Sequence, residues 1–252
     1  KNKKTPTLDG LTISRCYGDI LNYNSLNNAM RNIDIVIHCA AFIQINPARS
    51  EKVRTVNIEG TKNIIEACLK NDIKRLIHVG TANSFASGPK NNPGIEDTPY
   101  EAAKYGFDYM DSKRVAQELV LNAVEQNNLP AIVVNPTMMI GPYDIRPSSG
   151  AFILALCQQK IPAISPGGRN YIAVQDAARA IVNAISMGKV GECYILGNHN
   201  LTYREAYNVI SELAGVKPPR INMPSYVVKA FGSINSFLGR VFNYKPPITK
   251  EI

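Results

Sequence analysis

The order of short apolar runs and longer amphipathic stretches in this 252-residue chain predicts a doubly wound α/β fold, a parallel sheet covered by helices with a smaller C-terminal lobe. Three observations support it. β-branched runs alternate with helical patterns, the strand-like runs are continuously apolar instead of alternating, and the rhythm breaks into Pro- and Gly-rich connections after Asn135. A hydrophobic content of 45% is ample for a core of this size.

Leu11 to Cys16 reads as a strand, followed by a helix near Ser25 to Arg31 and a strand from Asp34 to His38. A helix spans about Ser50 to Asn71. Val53, Val56, Gly60, Ile64, Ala67 and Cys68 recur there at helical spacing, with Glu51, Lys52, Glu59 and Lys62 on other faces, so one side packs on the sheet. Next come the strand Arg75 to Val79, a helix from about Tyr105 to Asn127, the strand Ala131 to Asn135 and a later strand from Glu192 to Leu196. The division falls near residue 135: residues 1–135 form the main unit, 192–196 return to it, and 136–252 are mainly the lobe, with helices near Tyr203 to Ala214 and Tyr226 to Leu238. In open parallel sheets ligands bind beyond the carboxyl ends of the strands, so the ends at Cys39-Ala40-Ala41, Thr81 and Pro136 are expected to converge on a crevice.

Composition narrows the function classes. The five cysteines are scattered in apolar segments with no Cys-x-x-Cys pair, and the three histidines form no cluster, so no metal site is expected. A net charge of +8 is dispersed, with no tryptophan and no aromatic-basic stripe, which argues against a nucleic-acid partner. No apolar run has the length of a membrane span, and the basic start Lys1-Asn2-Lys3-Lys4 leads into polar residues; a cytoplasmic location is expected.

Tyr109 and Lys113 lie four apart in a helical stretch, which stacks phenol and ammonium on one face. A nearby cation favours the phenolate and lowers a phenol's pKa towards useful acid/base range. Alone, the pair also fits a solvated neighbour pair. The surrounding segments give it weight. Gly18-Asp19-Ile20, Asp34 to Ala41, Asn57 to Asn63, the strand into Gly80-Thr81-Ala82-Asn83-Ser84, Tyr109 to Lys113, and Asn135-Pro136-Thr137 to Gly141-Pro142 occur in the order of one family. With them the chain resembles the extended short-chain dehydrogenase/reductase, or NAD-dependent epimerase/dehydratase, family. The pattern from Asn135 to Pro147 is similar to dihydroflavonol-4-reductase-like and hopanoid-associated sugar epimerase-like members.

The resemblance implies a Rossmann-like dinucleotide-binding domain in residues 1–135 and a substrate-binding lobe in 136–252. Tyr109 would be the general acid/base, Lys113 would hold the nicotinamide ribose, and Thr81 would hydrogen-bond the reacting oxygen. It implies NAD or NADP as cofactor, with Asp19 and Ile20 at the adenine, Cys39, Ala40, Ala41 and Phe42 as a wall, Asn57 bracing the site and Pro136 and Thr137 beside the nicotinamide. Ser84, Met138, Met139 and Arg169 would face substrate, Arg169 at a position that can bind a phosphate or equally lie solvated in a loop. A homodimer is implied. The implied reaction is hydride transfer at a carbonyl or hydroxyl carbon of a small ketone, aldehyde or sugar-like substrate. The alternatives are a nucleotide-sugar epimerase or dehydratase, and a non-catalytic dinucleotide-responsive binding protein. The family's Gly-rich phosphate loop has no match before Asp19. The first β-α-β unit is therefore expected to be absent, the chain being N-terminally truncated, as part of a longer enzyme or as a natural short relative.

Overall fold

The computed structural model describes residues 6–44, 49–144, 149–224 and 226–227. Most of the helix expected over Tyr226 to Leu238 lies outside them. In chain order the elements begin with α1 (Tyr23–Ala29), β1 (Ile35–His38), α2 (Glu51–Arg54), a π-helical turn (Thr55–Glu59), α3 (Gly60–Lys70) and β2 (Arg75–Val79). There follow α4 (Asp108–Asn127), β3 (Ala131–Pro136), β4 (Met138–Ile140), α5 (Ala151–Cys157), β5 (Ala163–Ile164), β6 (Gly168–Ala173) and α6 (Val174–Met187). The last are β7 (Cys193–Leu196), β8 (His199–Thr202), α7 (Tyr203–Ala214) and β9 (Ile221–Asn222).

The main sheet has the order β1-β2-β3-β7, all parallel, with Ile37 beside Ile77, Ile77 beside Ile132 and Val134 beside Tyr194. Alternate residues of each strand face opposite layers. Leu76, Ala131 and Val133 pack with Ile64, Ala67 and Cys68 of α3 and Val120 and Ala123 of α4. Ile77, Ile132 and Val134 pack on the other face against Ala184, Ile181 and Ile185 of α6. This is the doubly wound parallel architecture. β4, β6 and β8 form a second sheet, in which β4 and β6 run parallel and β6 and β8 antiparallel, and β5 pairs with β9.

Local chemistry fixes the helix ends. Asn22 accepts from the Ser25 N–H to start α1, and Thr202 and Glu205 form a reciprocal capping box at α7, which Gly215 ends at φ 66°. Two details differ from the sequence expectation. Leu11 to Cys16 forms no strand: Ile13 bonds only locally to the Leu11 carbonyl and both apolar side chains are exposed, because no strand among the described residues lies alongside to pair with them. The helix expected from Ser50 to Asn71 is interrupted by the π turn at Thr55–Glu59.

Candidate active site

The carboxyl end of β2 is tied to that of β3. Gly80 donates to the Val134 carbonyl at 2.7 Å, and the Thr81 N–H donates to Asn135 Oδ1 at 3.0 Å. A Cβ at position 80 would overlap Asn135 Oδ1, so only glycine permits this approach. Thr81 is extended and buried; its Oγ1 accepts from the Asn83 N–H and caps the short 3-10 turn Ala82–Ser84. The hydroxyl proton is not used in that bond.

α4 begins against this turn. Asp108, its first residue, accepts from the Ser50 N–H at 2.6 Å and from Arg49 at 2.9 Å, which pins the start of α4 to the start of α2. A surface concavity at this junction, lined by Arg49, Arg54, Ile58 and Asp108 among others, includes none of Thr81, Tyr109 or Lys113. Tyr109 and Lys113 follow one turn apart. The Lys113 ammonium is buried and donates to the Val79 carbonyl at 2.7 Å, which brings it to the strand end two residues before Thr81. Burial pulls its pKa down to about 8, slightly opposed by the nearby Cys39. Burial pushes the Tyr109 phenol up from its usual value, contrary to the lowering expected from an adjacent ammonium. Desolvation of the phenol is the cause; the Lys113 ammonium, one of whose three N–H donors is used by the Val79 carbonyl, adds no lowering.

Two histidines lie next to this lysine. His38 and His78 are neighbours across β1 and β2, with ring centroids 5.2 Å apart. His38 lies 3.2 Å from the Thr61 hydroxyl, and its pKa falls to about 4 through burial and then the charge of Lys113; His78 is pushed further below the usual value by burial, Lys113 and His38. Both are neutral at physiological pH.

Asn57 organises the opposite wall. It sits in the π turn, a feature that re-aims side chains within a helix. Its Oδ1 accepts from the Phe42 N–H at 2.7 Å, while its Nδ2 donates to the Phe42 carbonyl and to Ser112 Oγ of α4. Cys39, Ala40 and Ala41 are exposed ahead of this brace, so small side chains leave the backbone approachable. Asp19 lies in an exposed turn and accepts from the Leu21 N–H; the Ile20 side chain rests on Gly60, where a Cβ would collide with it.

On the lobe side Pro136 is buried, Thr137 half-buried, and Met139 exposed. Arg169 lies on β6 and donates from Nε to the Tyr203 hydroxyl at 3.0 Å, beside Tyr171 and Tyr207. It lies on a strand and not in a loop. Ser84 is fully buried in the 3-10 turn, its carbonyl accepting from Arg114. Sequence reasoning missed Gly80, Asn135 as a side-chain brace, Ser112 and Asp108; their roles come from long-range partners that no local pattern announces. No group of His, Cys, Asp and Glu among the described residues could hold a metal ion, and no helix among them is long and apolar enough to cross a membrane.

Residues 1–197 match the NAD dependent epimerase/dehydratase family. The chain belongs to this family. It is accordingly an oxidoreductase or epimerase of the extended short-chain dehydrogenase/reductase type that uses NAD or NADP. Among its relatives is sterol demethylase protein B of Methylococcus capsulatus, 27% identical over 239 residues that cover 93% of this chain and 71% of that protein. A dihydroflavonol 4-reductase-like protein of Synechocystis sp. is 29% identical, covering 91% of this chain and 68% of the relative. The crystal structure of gox2253 superposes with a TM-score of 0.85 at 29% identity, over 98% of this chain and 76% of that one.

Proposed function

We propose that Tyr109, Lys113 and Thr81 form the reaction centre of a reductase or epimerase acting on a small ketone, aldehyde or sugar-like substrate. The observation that carries this reading is the Lys113–Val79 bond, which sets a buried cation from α4 at the end of the strand that leads into Thr81. The residues present suit a nicotinamide dinucleotide. Lys113 is a buried cation whose described partner is a single carbonyl, and the exposed backbone at Cys39, Ala40 and Ala41 offers a wall of small side chains that ends at Phe42, held by Asn57. Lys113 would hold the ribose, Cys39 to Phe42 and Asn57 would form the wall, Pro136 and Thr137 would border the ring, and Asp19 and Ile20 would lie towards the adenine.

A bound nicotinamide dinucleotide supplies or accepts the hydride. This chain's residues handle the oxygen and the proton. The Thr81 hydroxyl would donate a hydrogen bond to the substrate oxygen and orient it, keeping its own proton. Tyr109 delivers a proton to that oxygen in reduction and removes it in oxidation. Its raised pKa keeps the phenol protonated at neutral pH, which suits donation in reduction and works against proton removal in oxidation. Lys113 is buried and Tyr109 half-buried, which limits competing water at the ammonium. Residues 1–135 together with α6 and β7 would bind the dinucleotide and the remaining lobe the substrate, and a homodimer is the proposed assembly.

A second reading, a nucleotide-sugar epimerase or dehydratase, is favoured by Arg169, an accessible cation oriented by Tyr203 and suited to a phosphate or carboxylate. Met138 and Met139 offer apolar surface beside it, which favours the ketone or aldehyde reading. A non-catalytic dinucleotide-responsive protein would need no proton donor. The test is Tyr109→Phe in the full-length gene product: turnover is expected to fall by about 10²-fold or more with dinucleotide binding kept. Full activity of that variant excludes this mechanism.

A further inference from the structure

A side-chain amide ties the lobe to the strand ends of the main sheet. Asn170, on β6, receives the Asn198 backbone N–H on Oδ1 at 3.0 Å. A backbone N–H can only donate, so this contact fixes which end of the amide carries oxygen. The Thr137 hydroxyl donates to the same Oδ1 at 2.8 Å, with the Leu196 carbonyl at 3.1 Å as its alternative acceptor. Nδ2 then donates to Asn200 Oδ1 on β8 at 2.8 Å. One residue thus joins three segments: the turn after β7, the segment leaving β3, and the β6–β8 pair. Gly197 permits the approach, since a Cβ there would lie 2.6 Å from Asn170 Oδ1.

The neighbours make this junction a matter of function. Thr137 follows Pro136 at the carboxyl end of β3, and its N–H is held by the Leu196 carbonyl of β7 at 3.0 Å. Arg169 and Tyr171 flank Asn170 on β6 and, by strand alternation, face the other side, where Tyr203 and Tyr207 of α7 lie. The Asn170 amide therefore adds to the β4–β6 ladder in holding β6 against the strand ends of the main sheet.

We propose that Asn170 is a positioning residue: through Thr137 and Asn198 it locks the substrate lobe in register with the reaction centre, so that a bound substrate carbon meets the nicotinamide side at the right distance. The proposal rests on the reaction centre assigned above. Losing the lock leaves each lobe folded and the dinucleotide half intact, but loosens the alignment on which turnover depends.

The test uses the full-length gene product with Asn170→Ala, Asn170→Asp, Thr137→Val and the double variant Asn170→Ala/Thr137→Val. NADH binding is read by fluorescence, and kcat/KM is read on the ketone or aldehyde that the wild type reduces fastest in a fixed panel. Amide hydrogen exchange is followed at Asn198. Asn170→Ala is expected to lower kcat/KM about tenfold, the worth of a shared hydrogen bond, with the NADH Kd changed less than about twofold. Thr137→Val should reproduce a loss of turnover, and the double variant should lose no more than the larger single loss, because both remove one link. Asn170→Asp keeps the two acceptor contacts and should recover most of the activity. Exchange at Asn198 should quicken in Asn170→Ala and stay slow in Asn170→Asp. Activity of Asn170→Ala within twofold of wild type, fully additive losses, or unchanged exchange at Asn198 would overturn the proposal. Should Tyr109→Phe retain full turnover, the proton-transfer reading fails by itself, and the exchange at Asn198 still decides whether Asn170 is the lock.

Discussion

The α4 side of the candidate site and the lobe are built differently. On the α4 side Thr81, Lys113, Asn57 and Asn135 are buried and each is fixed by a backbone partner: Lys113 by Val79, Asn57 by Phe42, Asn135 by Thr81. On the lobe side Arg169 and Met139 are exposed; Arg169 is held by a side chain, Tyr203, and Glu205 pairs with Lys90 of the main unit. Rigid elements hold the groups proposed to move protons, while the surface proposed to meet substrate is open and adjustable. That division fits a family in which one chemistry serves many substrates.

The contrast is sharpest at Lys113. Lys113→Met should weaken NADH binding by about tenfold or more and turnover by about 10²-fold, since a preorganised charge in a dry site is lost. The same variant should be no less stable than wild type below pH 8. Burial lowers the folded-state pKa to about 8 from an ordinary 10.5, so the folded chain sheds this proton before the unfolded chain does. Below pH 8 the buried ammonium costs stability, and that cost fades as pH rises from about 8 towards 10.5. Melting curves of wild type and Lys113→Met across that range should converge; a wild type that stays the more stable at pH 7 contradicts the assignment.

Asn57→Ala should be next. It strands the Phe42 N–H and carbonyl and the Ser112 hydroxyl, and a loss of about 2–4 kcal/mol is expected in denaturant unfolding, with weaker NADH binding. A loss under about 0.5 kcal/mol would show that the π turn is not a brace. The smallest effect belongs to the lobe side. Lys90 and Glu205 form an exposed ion pair at 2.7 Å, and Lys90→Ala should cost less than about 1 kcal/mol, less still in high salt.

The fold was legible where the signal was local. The strands at Ile35–His38, Arg75–Val79 and Ala131–Pro136 lie on the largely apolar runs that the sequence shows, and α7 on the helical pattern near Tyr203 to Ala214. Leu11 to Cys16 misled because an apolar run makes a strand only when another strand lies beside it. The helical spacing of Tyr109 and Lys113 was legible, but the direction of the Tyr109 pKa was not. Spacing reveals the neighbouring cation, whereas burial, the cause of the shift, depends on tertiary packing around α4. Asn170 carried no sequence signal, because its three partners come from Thr137, Asn198 and Asn200 on separate segments.

A crystal structure of the full-length protein with NADH tests the central claim most directly. The account predicts the nicotinamide among Thr81, Tyr109 and Lys113, with the Lys113 ammonium turned from the Val79 carbonyl onto the ribose hydroxyls. NADH bound with its ring away from these three side chains, and Lys113 still on Val79, would contradict it.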